Sequence, residues 1–397
     1  MTMTYSTNAS SHQEPRIQIR ELAGSEIRNV ANGAMGRSDV LPFWFGESDQ
    51  PTASFIQQAA ITSITGGETF YAQNLGRPYL REAIATYLSN LHGKPFSADR
   101  IVVTASGVSG LMLTSQLLLS PGDRVVAVTP IWPNLVEIPK ILDAHVERVS
   151  LEVIDGSWTL DVGKLLDALT PDTRLLLLNS PNNPTGWMID QESVDLILAH
   201  CRKYGIWILA DDVYERLVFD QSVKSAPSFL RSSQPGDRVI SGNSFSKAWT
   251  MTGWRVGWMV VPPELAPDMA NLIEYNVSCV FEPVQRAAHI AITQGEQTIS
   301  DLRSHLQLTR NVLLEGLRAL PGVEVPNAGG AMYAFFRIKG HPDTLSLANR
   351  LVEEVGLGLA PGIAFGPEGD GWLRWCHAVQ PDRLVLGLER LKRFLGK

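Results

Sequence analysis

The sequence predicts an α/β fold: a large domain with a mostly parallel sheet flanked by helices, plus a smaller α+β domain built from the N-terminal segment and the C-terminal third. Three observations predict it. Between residues 100 and 261, short apolar runs alternate with segments of helical periodicity. Runs such as Leu175 to Leu178 are apolar at every position, as strands buried on both faces are. The chain of 397 residues is 44% hydrophobic and 19% charged, which suits a large core and excludes disorder as the main state.

Strands are expected at 101–104, 124–128, 174–179, 207–211, 239–241 and 256–261. Each is short, β-branched or Leu-rich, and bounded by Gly, Pro, Asn or Asp. Helices are expected between them, at 109–119 and 193–204. Beyond residue 297 the pattern changes. A long helix is expected at 297–319, then short strands at 330–338 and 371–377 around a helix at 345–354. The last helix, 381–395, opens with Pro381 and Asp382 and carries Leu384, Leu388, Leu391 and Leu395 on one face. Length alone gives about two or three domains. The expected division is 51–296 for the large domain, with 1–50 and 297–397 forming the small one.

Composition excludes several functions. A net charge of −7 disfavours a nucleic-acid partner, which needs a basic field. It does not exclude small anionic ligands, which one Arg or a ring of backbone N–H groups can hold. Cys201, Cys279 and Cys376 form no Cys-x-x-Cys pair, so neither a zinc ribbon nor a disulfide framework is indicated. Residues 1–13 are polar, without the apolar stretch of a secretory signal, and no apolar run approaches a membrane span of about 18 residues. The expected location is cytoplasmic, and the Asn8-Ala9-Ser10 sequon is a pattern match only. The eight histidines make no metal-binding pattern, and no Gly-x-Ser-x-Gly elbow is present.

In a parallel sheet, ligands bind beyond the carboxyl ends of the strands. The first strand is followed by Ala105-Ser106-Gly107-Val108-Ser109-Gly110, small residues opening a helix, which suits a phosphate. The second is followed by Thr129-Pro130-Ile131-Trp132, and the third by Ser180-Pro181-Asn182-Asn183-Pro184-Thr185-Gly186. The next ends in Asp211-Asp212-Val213-Tyr214, and the last of this series in Ser244-Phe245-Ser246-Lys247, with Arg255 eight residues on. Each taken singly reads as a turn, a cap or a surface lysine.

Together, in this order, they resemble pyridoxal-phosphate-dependent class I/II aminotransferases of the aspartate aminotransferase fold, fold type I. The matching stretches include Ser244-x-x-Lys247 with Met251-Thr252-Gly253-Trp254-Arg255-Val256-Gly257, the 180–186 segment, and Asp211-x-x-Tyr214. Tyr71 before Gly76-x-x-x-Leu80-Arg81, and Pro361-Gly362-x-x-Phe365-Gly366 before Arg374, extend the match from about residue 46 to 376.

The resemblance implies roles. Lys247 would form a Schiff base with the cofactor and later act as general base. Asp211 would keep the pyridine nitrogen protonated. Asn183 and Tyr214 would hydrogen-bond the ring 3-oxygen. Arg255, Ser244 and the Gly107–Val108 backbone would hold the phosphate, with Ser106 and Ser109 as hydroxyl donors. Trp132 would stack on the ring, and Arg374 would grip the substrate α-carboxylate, oriented with help from Gly46, Asn183 and Trp132. In this family a tyrosine placed like Tyr71 reaches the phosphate of the other subunit, which implies a homodimer with shared sites.

Three departures stand out. Asp212 replaces a common Glu, 46–49 lacks a usual Pro, and Val108 cannot pair a distal carboxylate. Trp44, Phe45, Phe365, Trp372 and Trp375 fall near the expected entrance, so the expected substrate is an aromatic or large apolar L-amino acid with a 2-oxo acid acceptor. The same motifs also occur in lyases that eliminate at a carbon–sulfur bond and in decarboxylases, which remain alternatives. A non-enzymatic cofactor-binding regulator is less favoured. The match begins near residue 46, too short an arm for a DNA-binding domain, and both Lys247 and Arg374 are retained.

Overall fold

The computed structural model describes residues 15–396. The polar start and the Asn8 sequon lie outside the described residues. A seven-stranded sheet runs in the order Ile101–Thr104, Gly257–Val260, Val239–Ser244, Trp207–Asp211, Thr173–Asn179, Arg124–Thr129, His145–Ser150. Four of its six pairings are parallel. The exception is Gly257–Val260, which runs antiparallel to both neighbours. The sheet is thus mixed but mostly parallel.

Alternation along each strand sends successive side chains to opposite faces. Leu175 and Leu177 join one core cluster while Leu176 and Leu178 join another. Helices cover both faces, so each strand has two apolar sides and reads as continuously apolar. The helix Gln191–Tyr204 starts two residues before its expected position because Asp190 caps it, accepting from the Ser193 N–H at 2.7 Å. Gly205, at φ 68°, ends it.

The edge strand His145–Ser150 has no counterpart among the expected elements. It alternates exposed and half-buried positions and carries three polar or charged side chains in its first four residues, so its apolar signal is weak. Val239–Ser244 runs past its expected end at residue 241, through Gly242 and Asn243, because its later part, from Ser241 to Ser244, pairs with Gly257–Val260.

The C-terminal portion builds a four-stranded antiparallel sheet, in the order Val323–Glu324, Tyr333–Ile338, Leu373–Cys376, Ala360–Pro361. The N-terminal segment joins this side: Leu41–Pro42 pairs in parallel with Leu357–Gly358. Helices Thr344–Val355 and Pro381–Leu395 pack on it, the latter through the expected Leu384 and Leu391 together with Phe394. Two consequences position the site. Arg374 and Tyr333 lie on adjacent strands of this sheet, and residues 44–46 pass between it and the large sheet.

Candidate active site

The carboxyl ends of the parallel strands open into a cavity of about 880 Å3. Its floor begins at Ile101–Thr104, which leads through Ser106 into the helix Gly107–Leu118. Ser106 sits at φ 114° and caps the helix, its Oγ accepting from the Ser109 N–H at 3.1 Å. The neighbouring strands come unusually close here. A Cβ on Gly257 would lie 2.6 Å from both the Gly107 nitrogen and the Asn243 carbonyl oxygen. That approach sets the helix N-terminus beside Ser244, whose Oγ donates to the Val256 carbonyl at 3.2 Å. Arg255, in the left-handed region at φ 56°, donates to the Thr252 carbonyl and lines the same end. A helix N-terminus, hydroxyls and an arginine that has no carboxylate partner among the described residues suit a phosphate.

Deeper in the floor, Asn179 organises two strand ends. Its amide donates to the Asp211 carbonyl at 2.9 Å and its oxygen accepts from the Asn183 N–H at 2.7 Å. Burial pushes the Asp211 carboxyl up to about 7. Hydrogen bonding from the Val213 N–H opposes the shift, Asp212 adds to it, and Lys247 opposes it. Asp212 turns the other way, accepting from Ser241 and Ser228 at 2.7 and 3.1 Å.

Lys247 follows Ser246 in the short helix Phe245–Ala248 and donates to the Gly46 carbonyl. Burial lowers its ammonium to about 8, and Arg374 pushes in the same direction. Cys376, Glu47 and Asp211 oppose. An amine so placed is a proton carrier and nucleophile near neutral pH. Arg374 comes from the cover. It is buried and donates to Asn183 Oδ1 at 2.8 Å and to the Trp44 carbonyl, with the rings of Tyr333 and Phe365 at 4.5 and 4.9 Å. Among the described residues no carboxylate pairs with it, and its Nε lacks a partner. A buried guanidinium held only by neutral acceptors is a site for an anionic ligand.

Eleven of the expected residues line this one cavity: Gly46, Gly107, Val108, Trp132, Asn183, Asp211, Tyr214, Ser244, Lys247, Arg255 and Arg374. Ser106 and Ser109 do not line the cavity; the Ser106 Oγ accepts from the Ser109 N–H in capping the helix. Tyr71 lies outside the cavity of its own chain and is 87% exposed. The aromatic entrance needs correction. Trp44, Trp372 and Trp375 are buried in the main core; Trp372 stacks on Phe335 and packs against Trp158. Only Phe45 and Phe365 of the five reach the cavity. Sequence reasoning missed Tyr333, Ser246 and Asn179 as lining residues. Ser246 was legible as the neighbour of Lys247, and Asn179 as the last residue of a parallel strand.

This fold and site define an enzyme of group transfer, with a half-buried lysine between a buried acid and a buried arginine. Residues 38–391 match the family described as aminotransferase class I and II, and the chain belongs to that family. It is 30% identical over 379 residues to an aspartate aminotransferase of Pyrococcus horikoshii, covering 94% of each chain. It is 32% identical to a probable aspartate/prephenate aminotransferase of Aquifex aeolicus, covering 90% of this chain and 91% of the relative. Among solved structures, an aspartate aminotransferase mutant of Thermus thermophilus superposes with a TM-score of 0.89 at 28% identity, covering 96% of this chain and 99% of the other. The chain is thus an aminotransferase, of a family that works with pyridoxal phosphate.

Proposed function

We propose that this chain binds pyridoxal phosphate and moves an amino group between an L-amino acid, aromatic or large apolar, and a 2-oxo acid. The observation that carries the reading is Lys247, half-buried with a lowered ammonium pKa, between Asp211 and an Arg374 whose acceptors are all neutral. The residues fit the cofactor. Gly107, Val108, Ser244 and Arg255 form a phosphate cradle. Asp211 would hold a proton at the ring nitrogen, Asn183 and Tyr214 would hydrogen-bond the 3-oxygen, and Trp132 would cover the ring. When bound, the cofactor supplies the electron-withdrawing ring that acidifies the substrate α-carbon. Arg374 holds the α-carboxylate, and Lys247 takes and returns the proton at Nζ. The Lys247 hydrogen bond to the Gly46 carbonyl keeps that atom aimed at the cavity.

The relatives' names favour aspartate. Val108, Met112, Ile131, Ile363, Phe45 and Phe365 at the cavity wall favour an apolar side chain. The same reading divides the chain into 51–296 and 1–50 with 297–397, the cavity between them. It also makes the protein a cytoplasmic homodimer. Phe70, Tyr71, Tyr275 and Phe281 are exposed large hydrophobic residues, and a second copy covering them would bring Tyr71 to the partner's phosphate cradle. Three free cysteines suit a reducing compartment.

The test adds pyridoxal phosphate to purified protein, records the visible spectrum, and then offers a panel of amino donors. Wild type should gain a visible band and transaminate; Lys247→Ala should lose the band and at least about 10^4-fold in rate. Full activity of that variant overturns the mechanism. Higher kcat/KM for aspartate than for phenylalanine or leucine overturns the substrate class. Release of ammonia in place of amino transfer points to the lyase reading.

A further inference from the structure

Tyr333 lies on a strand of the small sheet, at a position the resemblance gave no role, yet it reaches the centre of the cavity. Its Oη lies 2.5 Å from the Oη of Tyr214, and both phenols are buried. The hydroxyl has little freedom to turn elsewhere. It abuts the Cα of Gly46, where any Cβ would overlap it, and the Gly46 carbonyl already accepts from Lys247. Below, the Tyr333 ring is a shelf for the Arg374 guanidinium, 4.5 Å from its centroid.

Each phenol has one proton and can donate one hydrogen bond. A Tyr214 that donates to an anionic ligand oxygen in the cavity cannot also donate to Tyr333. The 2.5 Å contact must then be made by the Tyr333 proton. We infer that Tyr333 is a positioning residue which donates to Tyr214 and so orients and strengthens the donation of Tyr214 to the cofactor 3-oxygen. The inference rests on the function proposed above. A run of two O–H donors ending on an anion is mutually polarising, and the water-excluded site strengthens each bond. The charged and titratable groups facing the pair are Arg374 over the Tyr333 ring, Lys247 at 5.9 Å from the Tyr214 ring, Asp211 and Cys376. Arg374 favours a more acidic phenol in both tyrosines, and Asp211 opposes it.

A second consequence concerns the shelf. The ring and the hydroxyl serve different partners, the ring Arg374 and the hydroxyl Tyr214. Tyr333→Phe keeps the shelf and removes the proton; Tyr333→Leu removes both.

The experiment titrates the visible absorbance of the pyridoxal-phosphate-loaded protein with pH. A weaker donation from Tyr214 leaves the 3-oxygen anion less stabilised and raises the proton affinity of the Lys247-linked nitrogen beside it. Tyr333→Phe should therefore move the midpoint upward by about half a pH unit, since the bond it removes joins two neutral phenols and acts on the anion only through Tyr214. Tyr214→Phe should move it further, and the double variant should match Tyr214→Phe alone, since Tyr333 acts only through Tyr214. Tyr333→Leu should also raise KM for the amino acid, which Tyr333→Phe should leave within about twofold. Thermal unfolding of each variant separates a folding defect from these readouts. An unmoved midpoint in folded Tyr333→Phe, or additive shifts in the double variant, overturns the inference while leaving the proposed function standing. A wild type that shows no visible band with pyridoxal phosphate overturns both.

Discussion

The floor of the cavity is made from strand ends and helix starts of the large sheet, whereas its cover comes from mid-strand side chains of the small sheet and from residues 44–46. The two hold buried groups of opposite kind, acids in the floor and a guanidinium in the cover. The floor holds Asp211, with Asp212 and Glu215 behind it, all with carboxyls raised by burial. The cover holds Arg374, with neutral acceptors and aromatic faces around it. The floor is suited to a ligand that presents a proton, and the cover to one that presents a carboxylate. Lys247 stands where the two meet, bonded across the gap to the Gly46 carbonyl. Among the described residues neither Asp211 nor Arg374 has an ion-pair partner, so each wall is left to meet a polar or charged part of a ligand.

The comparison breaks most sharply at Arg374. Arg374→Gln removes the guanidinium together with its hydrogen bond to the floor residue Asn183, and should lower kcat/KM for amino acids by about 10^3-fold, the scale of a lost charge-assisted grip in a dry site. Steady-state kinetics measure it, and a loss below about tenfold would mean that the cover does not hold the carboxylate. Gly46→Ala tests the seam. The added methyl would overlap Tyr333 Oη, so rate should fall by about tenfold or more. Combining it with Tyr333→Phe, which removes the overlapped atom, should recover part of that loss. No recovery in the double variant would place the defect in the Gly46 backbone.

The two walls also differ in how far they were legible in the sequence. Floor residues follow a rule. In a parallel sheet every chain reversal at the carboxyl edge is a candidate site, so Asn183, Asp211, Ser244 and Lys247 announce themselves by following a strand. The antiparallel turn of Gly257–Val260 escaped because its apolar run looks the same in either direction. Cover residues obey no such rule. Tyr333 sits at the start of an antiparallel strand whose other positions, Arg337 apart, are core, and nothing local separates it from Phe335 or Phe336. Trp44, Trp372 and Trp375 show the converse error. Their closeness in sequence to Phe45 and Arg374 suggested an entrance, but large apolar rings next to a functional residue are as easily its packing support.

The smallest effect concerns what lies behind the floor. Glu215 is buried, accepts from Asn243 Nδ2 at 2.7 Å, and has its other oxygen 3.7 Å from His92 Nε2. Burial is the first cause that raises its carboxyl, and the facing Asp212 adds to it; Arg216, the Asn243 hydrogen bond and Arg231 oppose. His92 supplies no counter-charge, since burial, with Arg231 and Lys94, lowers its imidazole to about 3. A carboxyl raised in the folded state gives its full stabilisation below its unfolded pKa of about 4.3 and loses it as pH climbs through the folded value. Glu215→Gln mimics the protonated form and keeps an acceptor for Asn243. The variant should therefore match wild type in thermal stability near pH 5 and exceed it by a few degrees at pH 9, a gain of about 1 kcal/mol. Unfolding scans at the two pH values measure the difference. A gap that stays flat with pH would mean that Glu215 is ionised throughout. The floor would then hold a fixed negative charge behind Asn243, next to the proposed phosphate cradle, and the opposition of an acidic floor to a cationic cover would extend one layer deeper into the fold.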